Sequence, residues 1–163
     1  YKRLKHMVLH FYKYAGRIEV ARSTGDLSQL RSTLIDSFII CMASANAMNL
    51  SLGEKISEIP ESNDIDALAR ELGKTLQSTD LFAESVRTLV ILGGQMAKAI
   101  ESADHMERGD PRADMESLVV QLTVAVLSIL GHQGGALQTD IQTRLQGVEL
   151  KSIFLRPNPA MVR

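Results

Sequence analysis

"LIDSFIICMASANAMNLSLGEKI" (residues 34–56) is the stretch whose reading decides the fold. From Leu34 to Met48 almost every position is apolar or small, and the only charged residue is Asp36. That run is too long for a strand and holds no Gly or Pro. It fits a helix buried on most of its sides. Ser51, with Glu54 three positions later, makes a capping box that starts a new short helix. A lone aspartate inside such a surface needs a polar or charged partner.

Upstream, Leu4, Met7, Val8, Phe11, Ala15 and Ile18 recur at steps of three and four, which predicts a helix near 3–22. "STGD" (23–26) stops it, with Gly25 as the C-terminal cap. Asp26 or Ser28 caps the next helix, expected over 28–48. Downstream, "IPESND" (59–64) reads as a linker and "DIDALAREL" as a short helix. A long helix follows near 80–106, opened by Ser78 or Thr79. "GDPRAD" (109–114) turns the chain, and Pro111 suits a first helical position. "MESLVVQLTVAVLSIL" then predicts a second buried helix over 113–131. The glycines of "GHQGG" break it, and helix resumes near Leu137. The two prolines of "RPNPAMVR" predict an extended tail. No segment alternates as a strand does, so the fold class is all-α, a helical bundle.

Composition bounds the rest. The chain has 163 residues, 45% apolar and 23% charged. That suits one globular unit with a real core. Net charge is −1 and aromatics are 4%, so nucleic acid is not an expected partner. "TVAVLSIL" is too short to cross a bilayer, and no membrane role is expected. The single cysteine, Cys41, excludes an intrachain disulfide and reads as a small buried hydrophobe in a reducing, cytoplasmic setting. The sequence opens inside a helical pattern, so a piece of a longer product is expected.

The order of parts occurs twice. "AGRIEVA" (15–21) answers to "GGQMAKA" (93–99), and "GDL" (25–27) to "GDP" (109–111). Residues 34–56 answer without a gap to "VVQLTVAVLSILGHQGGALQTDI" (119–141), with Leu52 over Leu137 and Ile56 over Ile141. The expected organisation is a first repeat over 1–59, a second over 60–156 and a tail over 157–163. The repeats would pack as an intrachain pseudo-dimer about a two-fold axis.

These motifs resemble the MazG-like all-α NTP pyrophosphatase superfamily. The strongest match is at 34–56, where Asp36, Asn46, Leu50, Leu52 and Ile56 fall in register. In that family four carboxylates on two adjacent helices hold Mg²⁺, which activates water for attack on a phosphate chain. The resemblance places those positions at Tyr14, Arg17, Thr33 and Asp36 in the first repeat. In the second it places them at Leu92, Gln95, Leu118 and Gln121. Only Asp36 is acidic. The family's downstream Lys and Asn find no clear counterpart near residues 144–152. The likeness therefore implies the fold and argues against the reaction, with no catalytic residue, metal or cofactor expected. In the family's geometry Arg17 faces Asp36. Its guanidinium is expected to replace the metal, with Tyr14 or Thr33 hydroxyls completing the hydrogen bonds. Gln95 and Gln121 would make a neutral version of that contact.

Other candidate chemistry is thinner. His6 and His10 have i, i+4 zinc spacing but no third ligand nearby. Glu101, Asp104, His105, Glu107 and Asp110 crowd one turn and read as a charged helix end. "GHQGG" around His132 lacks the Lys and preceding strand of a P-loop. The expected function is a catalytically degenerate structural, assembly or regulatory module, with a protein partner or self-association. The alternatives are a nucleotide-binding module, meeting phosphates through His10, Lys13 and Arg17, and an active Mg²⁺-dependent NTP pyrophosphohydrolase with displaced ligands.

Overall fold

A computed structural model describes residues 2–56, 64–107 and 109–151. Seven helices and no strand form among them: α1 (Lys2–Thr24), α2 (Leu27–Met48), α3 (Leu52–Ile56), α4 (Ile65–Gly73), α5 (Leu81–Asp104), α6 (Pro111–Gln133) and α7 (Leu137–Lys151). The fold is all-α, as the periodicity implied. Most of the expected linker and the extended tail lie outside the described residues.

α1, α2, α6 and α5 close a ring in which each helix packs on the next, and α1 also packs on α5. Lys5 pairs with Asp104, and Arg22 with Asp80 at 2.9 Å, so α1 and α5 run antiparallel. Arg112 donates to the Met48 carbonyl at 3.0 Å, which sets α6 antiparallel to α2. α1 buries one stripe, Met7, Val8, Phe11, Tyr14, Ala15, Ile18 and Ala21, at steps of three and four. α2 buries residues on several sides, including Leu30, Leu34, Phe38, Cys41 and Ala45. Its buried hydroxyls cost little because they bond within the helix. Ser37 donates to the Thr33 carbonyl and Ser44 to the Ile40 carbonyl.

The helix ends follow local chemistry. Asp26 caps α2 by accepting from the Gln29 N–H, and Asp110 caps α6 by accepting from Ala113 with Pro111 behind it. α5 corrects the sequence reading. Asp80, not Ser78 or Thr79, accepts from the Ala83 N–H, while the Ser78 hydroxyl donates to the Asp80 carbonyl. The carboxylate sits nearer the helix and competes better for the free amide. That amide, with Arg22 beside it, holds the Asp80 carboxyl below its usual range.

α6 is a longer apolar segment than "TVAVLSIL" suggested: at 23 residues, with an 18-residue window of mean hydropathy 1.6, it is by length and composition long and apolar enough to cross a bilayer. Here it packs on α2, α4 and α5 and touches α3, so its all-round apolar pattern is that of a central helix. The α4–α6 contact depends on glycine. A Cβ on Gly131 would lie 1.7 Å from the Ala69 carbonyl oxygen, and one on Gly73 would lie 2.5 Å from the His132 nitrogen. The two backbones nearly touch.

Gly131→Ala is therefore expected to destabilise the fold by about 1–3 kcal/mol through overpacking against backbone. Gly147→Ala, in open space on α7, is expected to stabilise it by about 0.5–1 kcal/mol. Urea denaturation of both variants checks the contrast. Equal effects would refute the tight crossing.

Candidate functional site

Asp36 lies in the seam between α1 and α2 with 11% of its side chain exposed. A carboxylate that buried must be compensated. The larger compensation comes from α7. Arg144 donates from Nε to Oδ1 at 2.5 Å and from its terminal nitrogen to Oδ2 at 2.8 Å. This is a two-pronged guanidinium–carboxylate pair. Arg17 of α1 stands 3.6 Å from Oδ2. That is close enough for charge attraction but not for a good hydrogen bond. The bond to Asp36 raises the Arg144 pKa further above its usual range. Tyr14 is buried beside them. Burial, then the Asp36 charge, raises its phenol pKa, which Arg17 and Arg144 oppose.

Arg144 is held in place by a chain of contacts. Asp66 of α4 accepts from the Leu137 and Gln138 N–H groups and so caps α7 from another helix. Arg31 of α2 pairs with Asp140 at 2.7 Å and donates to the Gly134 carbonyl at 2.8 Å. Leu137 is buried in the core. With Asp140 on Arg31, the next turn of α7 brings Arg144 onto Asp36.

Tyr14, Arg17, Thr33 and Asp36 gather around one seam, but their bonds differ from those expected. Thr33 does not serve Asp36; its hydroxyl donates to the Gln29 carbonyl and accepts from the Gln29 amide. Among the described residues no hydrogen bond joins Tyr14 to Asp36. Arg17 is a neighbour rather than the principal partner, because the carboxylate's better donor geometry is taken by Arg144. The region near residues 144–152, read as lacking a counterpart, holds that main partner. The spacing had a usable signal: Asp140 and Arg144 are one turn apart and opposite in charge to Arg31 and Asp36.

Beside Asp36 opens a groove of about 750 Å³, lined by Arg17, Arg144, Thr24, Gln29 and Ser32 among others. A second groove of about 420 Å³ lies between α5 and α6. Their linings stand at the same intervals. Arg17, Val20, Ala21 and Thr24 match Gln95, Lys98, Ala99 and Ser102. Gln29, Ser32 and Asp36 match Asp114, Ser117 and Gln121. The expected Gln95–Gln121 bond is not made. Both amides line the groove, but Gln121 donates to Ser117 at 3.1 Å, one turn back on its own helix. Leu118 lines this groove, and Leu92 and Leu118 are half-buried against the core.

Neither groove suits a magnesium ion. Mg²⁺ needs several hard oxygen ligands. The first groove offers two carboxylates, Asp36 already bonded to a guanidinium and Asp26 engaged as the α2 cap, and the second offers amides and hydroxyls around Asp114. Among the described residues no three of His, Cys, Asp and Glu converge. The acids at the α5–α6 turn are engaged elsewhere. Lys98 binds Glu107 at 3.1 Å and Glu101 at 3.2 Å, Asp104 binds Lys5, and Asp110 caps α6. These bonds raise the Lys98 pKa, while Ser102 and Lys98 lower that of Glu107. Cys41 is buried, and burial pushes its thiol up to about 12, so it is no nucleophile at neutral pH. His132 Nδ1 lies 3.4 Å from the Gly73 carbonyl in the α4–α6 contact.

His6 and His10 sit on the exposed side of α1. Their Nε2 atoms are 3.2 Å apart, and the Lys13 ammonium donates to His10 Nδ1 at 2.8 Å. Burial, then Lys13 and His6, lowers the His10 pKa below 6.5. No family model, curated protein or solved structure matches this chain.

Two measurements follow. Arg144→Ala is expected to cost about 1.5–3 kcal/mol in denaturant, the range for hydrogen bonds to a charged group. Arg17→Ala, losing a half-exposed pair, should cost under about 1 kcal/mol. The reverse order would refute the geometry. His10 binds its proton less readily in the folded state than in the unfolded one. Its contribution to stability is present above pH ~6.5 and is lost as pH falls through the folded value. An NMR titration should find the His10 pKa below its model value of 6.5, and Lys13→Ala should move it up.

Proposed function

We propose that this chain is a two-repeat MazG-like bundle that has lost metal-dependent hydrolysis and serves as a structural, assembly or regulatory module. The observation that carries this reading is the bond from Arg144 to Asp36, with Arg17 alongside. The one acid retained at the family's ligand positions is already neutralised by guanidinium. A guanidinium supplies charge and hydrogen bonds but no open coordination position at which water is activated.

The division into repeats over 1–59 and 60–156 has its own support. The two grooves are lined at equal intervals. Buried positions also correspond: Phe11 with Leu89, Ile18 with Met96, Leu34 with Val119, Cys41 with Val126, and Leu52 with Leu137. α2 and α6 both end at a residue of positive φ, Asn49 at 55° and Gly134 at 74°. α1–α2 and α5–α6 pack alike, and α7 rests on α2 as α3 rests on α6. An exchange of α1 with α5 and α2 with α6 accounts for all of these.

A second reading, nucleotide binding without turnover, is favoured by the first groove alone. Its two guanidiniums stand with Ser32, Thr24 and Gln29 in a space large enough for a phosphate chain.

The test is pyrophosphate release from common nucleoside triphosphates with Mg²⁺. No release above background is expected. Release that Asp36→Asn abolishes would overturn the proposal and restore the active enzyme. A thermal shift with nucleotide in the absence of Mg²⁺, lost in Arg17→Ala, would favour the second reading.

A further inference from the structure

α1 carries a line of basic side chains that the bundle provides with few acidic partners. Arg3, His6, His10, Lys13 and Arg17 follow alternating steps of three and four, so they lie along one side of the helix. At 1.5 Å per residue the line is about 21 Å long. His10 is half-buried and the other members are exposed. No Asp or Glu occurs before Glu19 in the sequence. Among the described residues the single carboxylate paired with the line is Asp36, at its Arg17 end. Lys5 lies on another side of α1, paired with Asp104 of α5.

The middle of the line is a hydrogen-bonded chain. Lys13 donates to His10 Nδ1, and His10 meets His6 through their Nε2 atoms with the rings edge to face. This arrangement suits a neutral His10, because its Nδ1 must accept from an ammonium. The groups acting on His10 are Lys13, His6 and Arg17 of α1 and Asp36 of α2. α5, packed on the Lys5 and Arg22 side of α1, adds none.

We propose that this line is a docking surface for an acidic peptide segment of a protein partner. The proposal rests on the non-hydrolytic module reading and names the class of partner such a module would take. Charge complementarity selects the occupant. The basic side chains recur at one helical turn, about 5–6 Å between Cβ atoms, with Lys13 and Arg17 charged throughout and His10 able to gain charge, which matches carboxylates one turn apart on a partner helix or at alternate positions of a strand. A nucleotide's phosphates would cover only part of that length. A nucleic acid would meet a chain of net charge −1 with few aromatic rings for stacking. Carboxylates placed along the line would replace the Lys13–His10 contact and favour protonation of His10. Binding therefore takes up protons and tightens as pH falls from about 8 towards 6.

The experiment is fluorescence anisotropy of a labelled oligo-glutamate peptide titrated with the full chain at low salt. Oligo-dT and tripolyphosphate serve as competitors. Saturable binding is expected, severalfold tighter at the lower pH and weakened by added salt. Lys13→Glu with His10→Glu should weaken it at least about tenfold. Lys74→Glu on α4 should leave it unchanged, and circular dichroism should find both variants folded. Absence of saturable binding, unchanged affinity in the Lys13/His10 variant, or tighter binding of oligo-dT or tripolyphosphate would overturn the proposal. Pyrophosphate release reports separately on the reading beneath it, so the two can fail independently.

Discussion

A carboxylate with 11% exposure in a helix seam is the constraint around which this molecule is arranged. A carboxylate buried there needs a compensating partner, and here it comes from outside its own helix. Arg144 supplies it with two donors, and its position depends on three further contacts. α4 caps α7 through Asp66, α2 holds α7 through Arg31 and Asp140, and the core takes Leu137. α4 in turn lies close on α6 because Gly131 and Gly73 let the backbones approach. The arrangement of the site thus runs back through α7 and α4 to a pair of glycines far from it in sequence.

The two grooves show how similar frames carry different chemistry. The first holds Arg17 and Arg144 with Asp36 and Asp26, two charges of each sign. The second, at matching intervals, holds Gln95 and Gln121, and its Lys98 is occupied by Glu101 and Glu107. The cationic character on the α1 side continues from the first groove along His10, His6 and Arg3. An anionic ligand would meet the first groove and the α1 face before the second groove. α1 has no acid in its first turn, whereas α5 and α6 carry Glu84 and Asp114 there.

Much of the fold was legible because helices announce themselves by period and caps. Met7, Phe11 and Ile18 marked a buried stripe, Asp26 and Pro111 marked helix starts, and the unbroken apolar run from Leu34 marked a central helix. The α5 cap was placed too early because Ser, Thr and Asp occur in succession at 78–80, and only geometry decides among them. The grouping of Tyr14, Arg17, Thr33 and Asp36 came from a family resemblance. Its principal bond did not, since Arg144 is 108 residues from Asp36, and the opposite charges of the Arg31/Asp36 and Asp140/Arg144 pairs do not by themselves say that the two helices meet. The resemblance also offered the Thr33 hydroxyl to Asp36, but a threonine inside a helix readily bonds its own preceding turn, as Thr33 does with Gln29.

The central claim is that the buried carboxylate of Asp36 is balanced by Arg144. A double-mutant cycle of Asp36→Leu and Arg144→Leu, followed by urea denaturation, tests it most directly. The account predicts a coupling of about 1–3 kcal/mol, with the double variant recovering much of the loss because neither charge is left stranded. A coupling near zero, with the two losses simply adding, would contradict it.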